Sequence, residues 1–169
     1  TDIVIIRAAP MDEHGMFNFG PTCAWLRATI ERAKMVIVEV SPGIPYVYGP
    51  ANGVHLSEID YIVEGSNLGL AELPLGAMTD IDRAVARQLA SEIDDGACIQ
   101  IGIGAMPNAA CSLLVESGIK DLGVHTEMLT DGIIDLVKAG KVTGARKQLN
   151  PGKVVFTFAF GSKYMYDAI

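Results

Sequence analysis

Apolar residues fall along this chain in short runs, and the spacing inside the runs changes from one to the next. Ile3-Val4-Ile5-Ile6 and Met35 to Val40 are compact stretches rich in β-branched residues, the mark of short buried strands. Met16 to Gly20 and Ile59 to Val63 are further strand candidates, the first introduced by the turn signal Asp12-Glu13-His14-Gly15. Trp25, Ala28, Thr29 and Arg32 recur at helical spacing, which predicts a helix over residues 22–33 with Thr22 as N-cap. Ser41 to Gly53 holds three prolines and three glycines and is predicted to be a long loop, a kind uncommon in compact domains unless it has a task.

The second half alternates more regularly. Thr79 and Asp82 form a capping box, and Ile81, Val85, Leu89 and Ile93 then repeat every four residues on one helix face until Asp95-Gly96. Ala97 to Ile103 is predicted as a strand that runs into Gly102-Ile103-Gly104-Ala105-Met106-Pro107-Asn108. A helix over about Pro107 to Val115 follows, with proline in its permitted first turn. Leu122 to Leu129 is a strand, Asp131 to Ala139 a helix with Asp131 as N-cap and Gly140 as its stop, Val154 to Phe160 a strand, and Ser162 onward helical. Strands alternating with helices predict an α/β fold with a largely parallel, doubly wound sheet. The charge-poor Gly/Pro/Leu stretch of residues 65–78 is the expected connector, which divides the chain into 1–77 and 78–169.

Composition narrows the classes. Half of the 169 residues are hydrophobic and 20% are charged, enough apolar material for a sizeable core, and no apolar run is long enough to span a membrane. Twenty acidic against 13 basic residues give a net charge of -7 with no basic stripe, which argues against nucleic-acid binding and docking on anionic membranes. An anionic ligand would have to be held by local geometry. Cys23, Cys98 and Cys111 are widely spaced and odd in number, which predicts buried free thiols in a reducing cytoplasm rather than disulfides or a zinc site. His14, His55 and His125 lie too far apart in sequence to argue for a metal, and none is expected.

Two segments carry candidate chemistry. A strand, a glycine-rich turn and a helix start bring backbone N–H groups and a positive dipole end to one place. Such a turn can bind phosphate, can act as an oxyanion hole, or can simply be a tight βα connection. Pro107 stands where the dinucleotide fingerprint needs a third glycine. In Gly123-Val124-His125-Thr126-Glu127-Met128, His125 and Glu127 share one face of the strand, near the carboxyl end where α/β sheets bind ligands. A glutamate in an apolar strand is costly to bury unless paired or functional; the plain alternative is an exposed strand end.

These segments, G-I-G-A-M-P-N-A and D-L-G-V-H-T-E-M-L-T-D-G, resemble the acetyl-CoA hydrolase/transferase family, and within it the CoA-transferases of butyrate and 4-hydroxybutyrate type. The likeness extends to D-E-H-G, A-K-M-V-I-V-E-V, H-L-S-E-I-D-Y-I-V-E, the E-L-P connector, L-N-P-G-K-V-V and F-G-S-K-Y-M-Y-D. It implies CoA-transferase-like open, largely parallel sheets flanked by helices. It also implies that residues 1–77 are the C-terminal part of a first domain and 78–169 the N-terminal part of a related second one. By the same resemblance Glu127 is the nucleophile, and Gly102, Gly104, Ala105, Met106, Pro107 and Asn108 form the CoA-binding loop. His55 and His125 are substrate-side candidates, and the loop after Ser41 faces the acyl group. Coenzyme A enters as acyl-CoA substrate, its partner a small carboxylate, and a homodimer or higher homo-oligomer in the cytoplasm is expected.

Three rivals follow from the same residues. An acyl-CoA hydrolase would use the same glutamate with water as acceptor. A dinucleotide-binding module is disfavoured by Pro107 and by the lack of an acidic residue about 20 positions on. A non-catalytic fragment would hold the nucleophile without the other walls of the site.

Overall fold

The computed structural model describes residues 1–74 and 76–169. They divide into two compact units, Thr1–Ala71 and Glu72–Ala168, so the connector of residues 65–78 is shared between them. Both units are mixed α/β with mainly parallel sheets flanked by helices.

The first unit contains β1 (Ile3–Ala8), β2 (Met16–Asn18), α1 (Leu26–Ile30), β3 (Met35–Val40), β4 (Gly53–His55) and β5 (Tyr61–Glu64). β1, β3 and β5 form a parallel sheet in that order, with Ile5 opposite Ile37 and Ile37 opposite Tyr61. Alternation puts Val4, Ile6, Ala8, Val36 and Val38 on one face, where they pack with Phe17, Phe19, Ile30 and Val54. Ile3, Ile5, Tyr61 and Val63, on the other face, are exposed.

Helix α1 is shorter than the periodicity predicts and is not capped by Thr22. Ala24 takes a left-handed φ of 37°, which breaks the helical run, and Trp25 stands at the N-cap without a side-chain bond. β4 lies at the end of the expected loop and pairs antiparallel with β2, Phe17 opposite Val54. The rest of that loop is pinned by two buried asparagines. Asn18 Nδ2 donates to Val47 O at 2.9 Å and its Oδ1 accepts from Val47 N at 3.0 Å, while Asn52 Nδ2 donates to Gly20 O at 2.8 Å. These bonds satisfy loop backbone groups that burial would otherwise orphan.

The second unit contains α2 (Asp80–Ser91), β6 (Cys98–Ile99), α3 (Ala105–Glu116), β7 (Gly123–Leu129), α4 (Asp131–Lys138), β8 (Val155–Ala159) and α5 (Lys163–Tyr166). The sheet order is β6-β7-β8, all parallel. Cys111 and Leu114 of α3 and Leu136 of α4 pack with Leu122, Ile99 and Ile101. The Thr79–Asp82 capping box forms, with Asp82 N donating to Thr79 Oγ1 at 3.2 Å and Thr79 N to Asp82 Oδ2 at 2.8 Å. The helix it starts buries little of the predicted stripe: Ile93, just past its end, packs partly buried against the core, but the other three members do not. Ala86 is the residue that packs, against Ala109 and Ala110 of α3, which turns Ile81, Val85 and Leu89 outward. Three alanines let two helix backbones approach closely, and that contact decides the helix's rotation over its larger apolar side chains.

Candidate active site

Both candidate segments come together at the carboxyl end of the second unit's sheet. The strand expected to run to Ile103 stops its ladder at Ile99, because the Thr126 side chain takes over the pairing. Its Oγ1 accepts from Ile101 N at 3.3 Å and lies 3.2 Å from Ile101 O. Cys98 pairs with Gly123 and Ile99 with Val124, and with Ile101 held beside Thr126 the register carries Gly102 level with Glu127. The turn then enters α3 two residues before the expected start. Gly104 is the N-cap at φ 127°, a conformation that only glycine adopts readily, and Pro107 occupies the first turn where its missing N–H costs nothing. Gly102, Ile103 and Gly104 are exposed, and Ala105, Met106 and Asn108 are half-buried.

Glu127 is exposed rather than partly buried, as is His125 on the same face of β7, while Val124 and Thr126 on the opposite face are buried under the helices. Thr157 of β8 donates from Oγ1 to Glu127 O at 2.6 Å. A Cβ added at Gly102 would meet no atom within 4 Å, so the space over Gly102 is open. The arrangement sets a carboxylate on the central strand and the first amides of a helix at the same, carboxyl end of the sheet. Such a constellation suits attack on a carbonyl whose oxygen is received by backbone donors.

Past β7, the reading of Asp131 as N-cap is replaced. Thr130 is the N-cap of α4, 4% exposed, and its Oγ1 has no hydrogen-bond partner among the described residues. Asp131, 6% exposed, instead accepts from Ser162 N at 3.0 Å and from Ser162 Oγ, which ties the start of α5 to the start of α4.

His55 belongs to the first unit, where it caps the 3-10 turn Leu56–Glu58. Its Nδ1 accepts from Ser57 N at 3.2 Å, and Glu58 Oε2 accepts from His55 N. Arg27 pairs with the same Glu58, and that guanidinium holds the carboxyl below its usual range. His14 is beside Glu13 at 3.7 Å. Among the described residues no three His, Cys, Asp or Glu side chains converge as metal ligands would, and no helix is long and apolar enough to cross a membrane.

The cysteines correct the sequence reading in part. Cys111 is buried, and burial, helped by the Asp135 charge, pushes its thiol up to about 12. Cys23 is half-buried and raised by the same desolvation, but Cys98 is exposed on the short β6. The sequence also gave no warning of Lys147, 9% exposed, whose Nζ donates to Val124 O at 2.9 Å and Lys153 O at 2.6 Å. A buried ammonium with only carbonyl partners has no local sequence signature, because both partners are backbone atoms.

Residues 1–74 match the acetyl-CoA hydrolase/transferase N-terminal domain family. The butyryl-CoA:acetate CoA-transferase of Anaerostipes caccae is 51% identical over 168 residues, which are 98% of this chain and 38% of that protein. The 4-hydroxybutyrate coenzyme A transferase of Clostridium kluyveri is 41% identical, over 99% of this chain and 38% of its own length. In structure, the 4-hydroxybutyrate CoA-transferase of Porphyromonas gingivalis superposes with a TM-score of 0.91 at 37% identity, covering 98% of this chain and 41% of the other. This chain therefore spans about two fifths of the length of the relatives it matches.

Proposed function

We propose, for a chain that belongs to the acetyl-CoA hydrolase/transferase family, that it carries the nucleophile and the CoA loop of an enzyme moving CoA between an acyl-CoA and a small carboxylic acid. The observation that carries the reading is Glu127, exposed near the carboxyl end of a parallel strand and level with a glycine that leaves its flank open. The names of the relatives support the direction of transfer to a carboxylate.

In this reading a Glu127 carboxylate oxygen attacks the thioester carbonyl, the C–S bond breaks, and CoA leaves as thiolate with a mixed anhydride on Glu127. The thiolate attacks the glutamyl carbonyl of the anhydride and expels the donor acid as carboxylate, leaving a glutamyl-CoA thioester. The acceptor carboxylate attacks that thioester, thiolate leaves again, and its attack on the new acyl carbonyl gives the product acyl-CoA and free Glu127. No proton changes hands, so the work is orientation and stabilisation of each oxyanion by the backbone N–H groups of Gly104, Ala105 and Met106, since Pro107 has none and Asn108 N donates to Gly104 O. His125 shares the Glu127 face and is a substrate-side contact; His55 is a second candidate, engaged in capping its own turn. Coenzyme A is a substrate here, and the reaction asks for no metal. The exposed free thiol of Cys98 supports action in the reducing cytoplasm, and a homodimer or higher homo-oligomer is the expected assembly.

The test uses the full-length protein. Incubation with acyl-CoA followed by borohydride or hydroxylamine should leave a reduced or hydroxamate side chain at Glu127, found by peptide mass spectrometry. Glu127→Gln should lose transfer by at least about 1,000-fold with its fold intact, since an amide cannot form the anhydride. An unmodified Glu127, or a Gln variant of near-normal activity, would overturn the assignment.

A further inference from the structure

Where β6 leaves the ladder, one side chain stands between the two strands. Thr126 is 3% exposed, and its Oγ1 accepts from Ile101 N at 3.3 Å while lying 3.2 Å from Ile101 O and 3.1 Å from Met128 O. Its single hydrogen serves one of those two carbonyls at a time. We propose that Thr126 is a positioning residue for acyl transfer. Its hydroxyl holds β6 away from β7 at Ile101, so that the turn of Gly102, Ile103 and Gly104 leaves the sheet with the amides of Gly104, Ala105 and Met106 free to receive the oxyanion. The proposal rests on the reading of Glu127 as nucleophile and adds the residue that sets the turn against it.

The first support is spacing. Up to Ile99 the strands pair directly, Cys98 with Gly123 and Ile99 with Val124, and Gly123 N donates to Ala97 O at 2.9 Å. Two residues further on, the acceptor for Ile101 N is a side-chain oxygen in place of a backbone carbonyl. That oxygen is also bonded across to Met128 O, so a hydroxyl's width is added between the chains. Ile101 N and Met128 O stay paired while the strands separate. Valine, of the same shape, would leave both without that partner.

The second support is place. Ile101 immediately precedes Gly102, and Met128 immediately follows Glu127, so one atom ties the root of the turn to the strand beside the nucleophile. Thr126 lies on the buried face of β7 and Glu127 on the exposed one, so the hydroxyl acts through the backbone alone. The turn itself has little packed over it. A Cβ at Gly102 would meet nothing within 4 Å, and one at Gly104 would meet Pro107 Cδ at 3.6 Å. Its position is therefore set at its two ends, where it leaves Ile101 and where it enters α3. Oxyanion donors act only when held in advance at the right distance, which makes the bond at Ile101 matter to rate.

The experiment measures kcat and KM of the full-length protein for transfer from butyryl-CoA to acetate. Thr126→Val and Thr126→Ala both remove the hydroxyl, the first keeping its volume and the second relieving any crowding. Each should lower kcat about 100-fold with KM for butyryl-CoA within about threefold of wild type, and Thr126→Ser should restore kcat to within about threefold. Val124→Ala is the control for lost stability, since Val124 is 0% exposed on the same buried face and its truncation leaves a cavity. That variant should melt lower than wild type and keep kcat within about threefold. Circular dichroism establishes which variants are folded. A folded Val or Ala variant with kcat near that of wild type, a Ser variant as slow as Val, or an equal loss in Val124→Ala would overturn the positioning role. Failure of both hydroxyl-free variants to fold would overturn it too, by making the hydroxyl an element of stability. Absence of transfer by the wild type would instead overturn the functional reading, and the positioning role with it.

Discussion

The Thr157 hydroxyl donates a 2.6 Å hydrogen bond to the backbone carbonyl of Glu127, so the central strand is gripped from β8 at the residue that bears the proposed nucleophile. The bond is made by a side chain on an exposed residue. Its effect should fall on the angle at which Glu127 leaves the strand rather than on stability. Thr157→Val should lower kcat about tenfold with KM little changed, and Thr157→Ser, which keeps the hydroxyl, should restore it. Steady-state kinetics and a melting curve on both variants check this; a Val variant that loses stability but not turnover would make the bond merely structural.

Gly102 and Gly104 should answer to different measurements. A Cβ at Gly102 meets nothing within 4 Å, so Gly102→Ala should melt within a few degrees of wild type. Its methyl would nevertheless stand level with Glu127, and turnover should fall at least about tenfold. At Gly104 the added Cβ would come no nearer than 3.6 Å to Pro107 Cδ, but φ at 127° strains any other residue. Gly104→Ala should therefore cost about 1–3 kcal/mol of stability, read as a lower melting temperature, whatever it does to activity.

The strands that position the site were legible because their signals are local. β3 coincides with the apolar run Met35 to Val40, and β7 with the run that ends at Leu129. What was not legible depends on contacts distant in sequence. The rotation of α2 follows from Ala86 meeting Ala109 and Ala110 on another helix, and a stripe of Ile81, Val85 and Leu89 outranks a lone alanine in any periodic reading. The early end of β6 follows from one threonine hydroxyl on β7, 25 residues on. Asp131 was placed at a helix start correctly but given the wrong partner, since Ser162 lies 31 residues away. The tie between Leu73 N and Gly161 O escaped notice for the same reason, since it joins two loops far apart in sequence.

The three thiols should separate cleanly on labelling. Cys98 is exposed and should react with a maleimide in the native protein at pH 8, Cys23 more slowly, and Cys111 only on unfolding. The Cys111 thiol, raised to about 12 from its ordinary 9.0, stays protonated when folded while the unfolded chain ionises. Its contribution to stability is whole below pH 9 and declines as pH rises toward 12. Cys111→Ala should flatten that alkaline decline in a series of melting curves. An equally steep decline in the variant would assign the loss to other groups.

The Asp131–Ser162 contact should prove the strongest polar coupling in the second unit. Asp131 is 6% exposed, and its carboxylate takes two bonds from one residue, from Ser162 N at 3.0 Å and from the hydroxyl. Gly161 approaches so closely that a Cβ there would collide with Asp131 Oδ2, so the turn has no room to shift and find other partners. Hydrogen bonds to a charged acceptor contribute about 1.5–3 kcal/mol, and leaving a donor buried and unpaired adds to the loss. Asp131→Ala should therefore cost about 3 kcal/mol or more, and Ser162→Ala, which removes only the hydroxyl bond, about 1–2 kcal/mol. In the double variant the hydroxyl bond is already gone, so the two losses should fall short of additivity by about 1 kcal/mol or more. Denaturant unfolding of the four proteins measures this. Additive losses would show that the turn is held by its backbone bonds, such as Leu73 N to Gly161 O, rather than by the coupled pair.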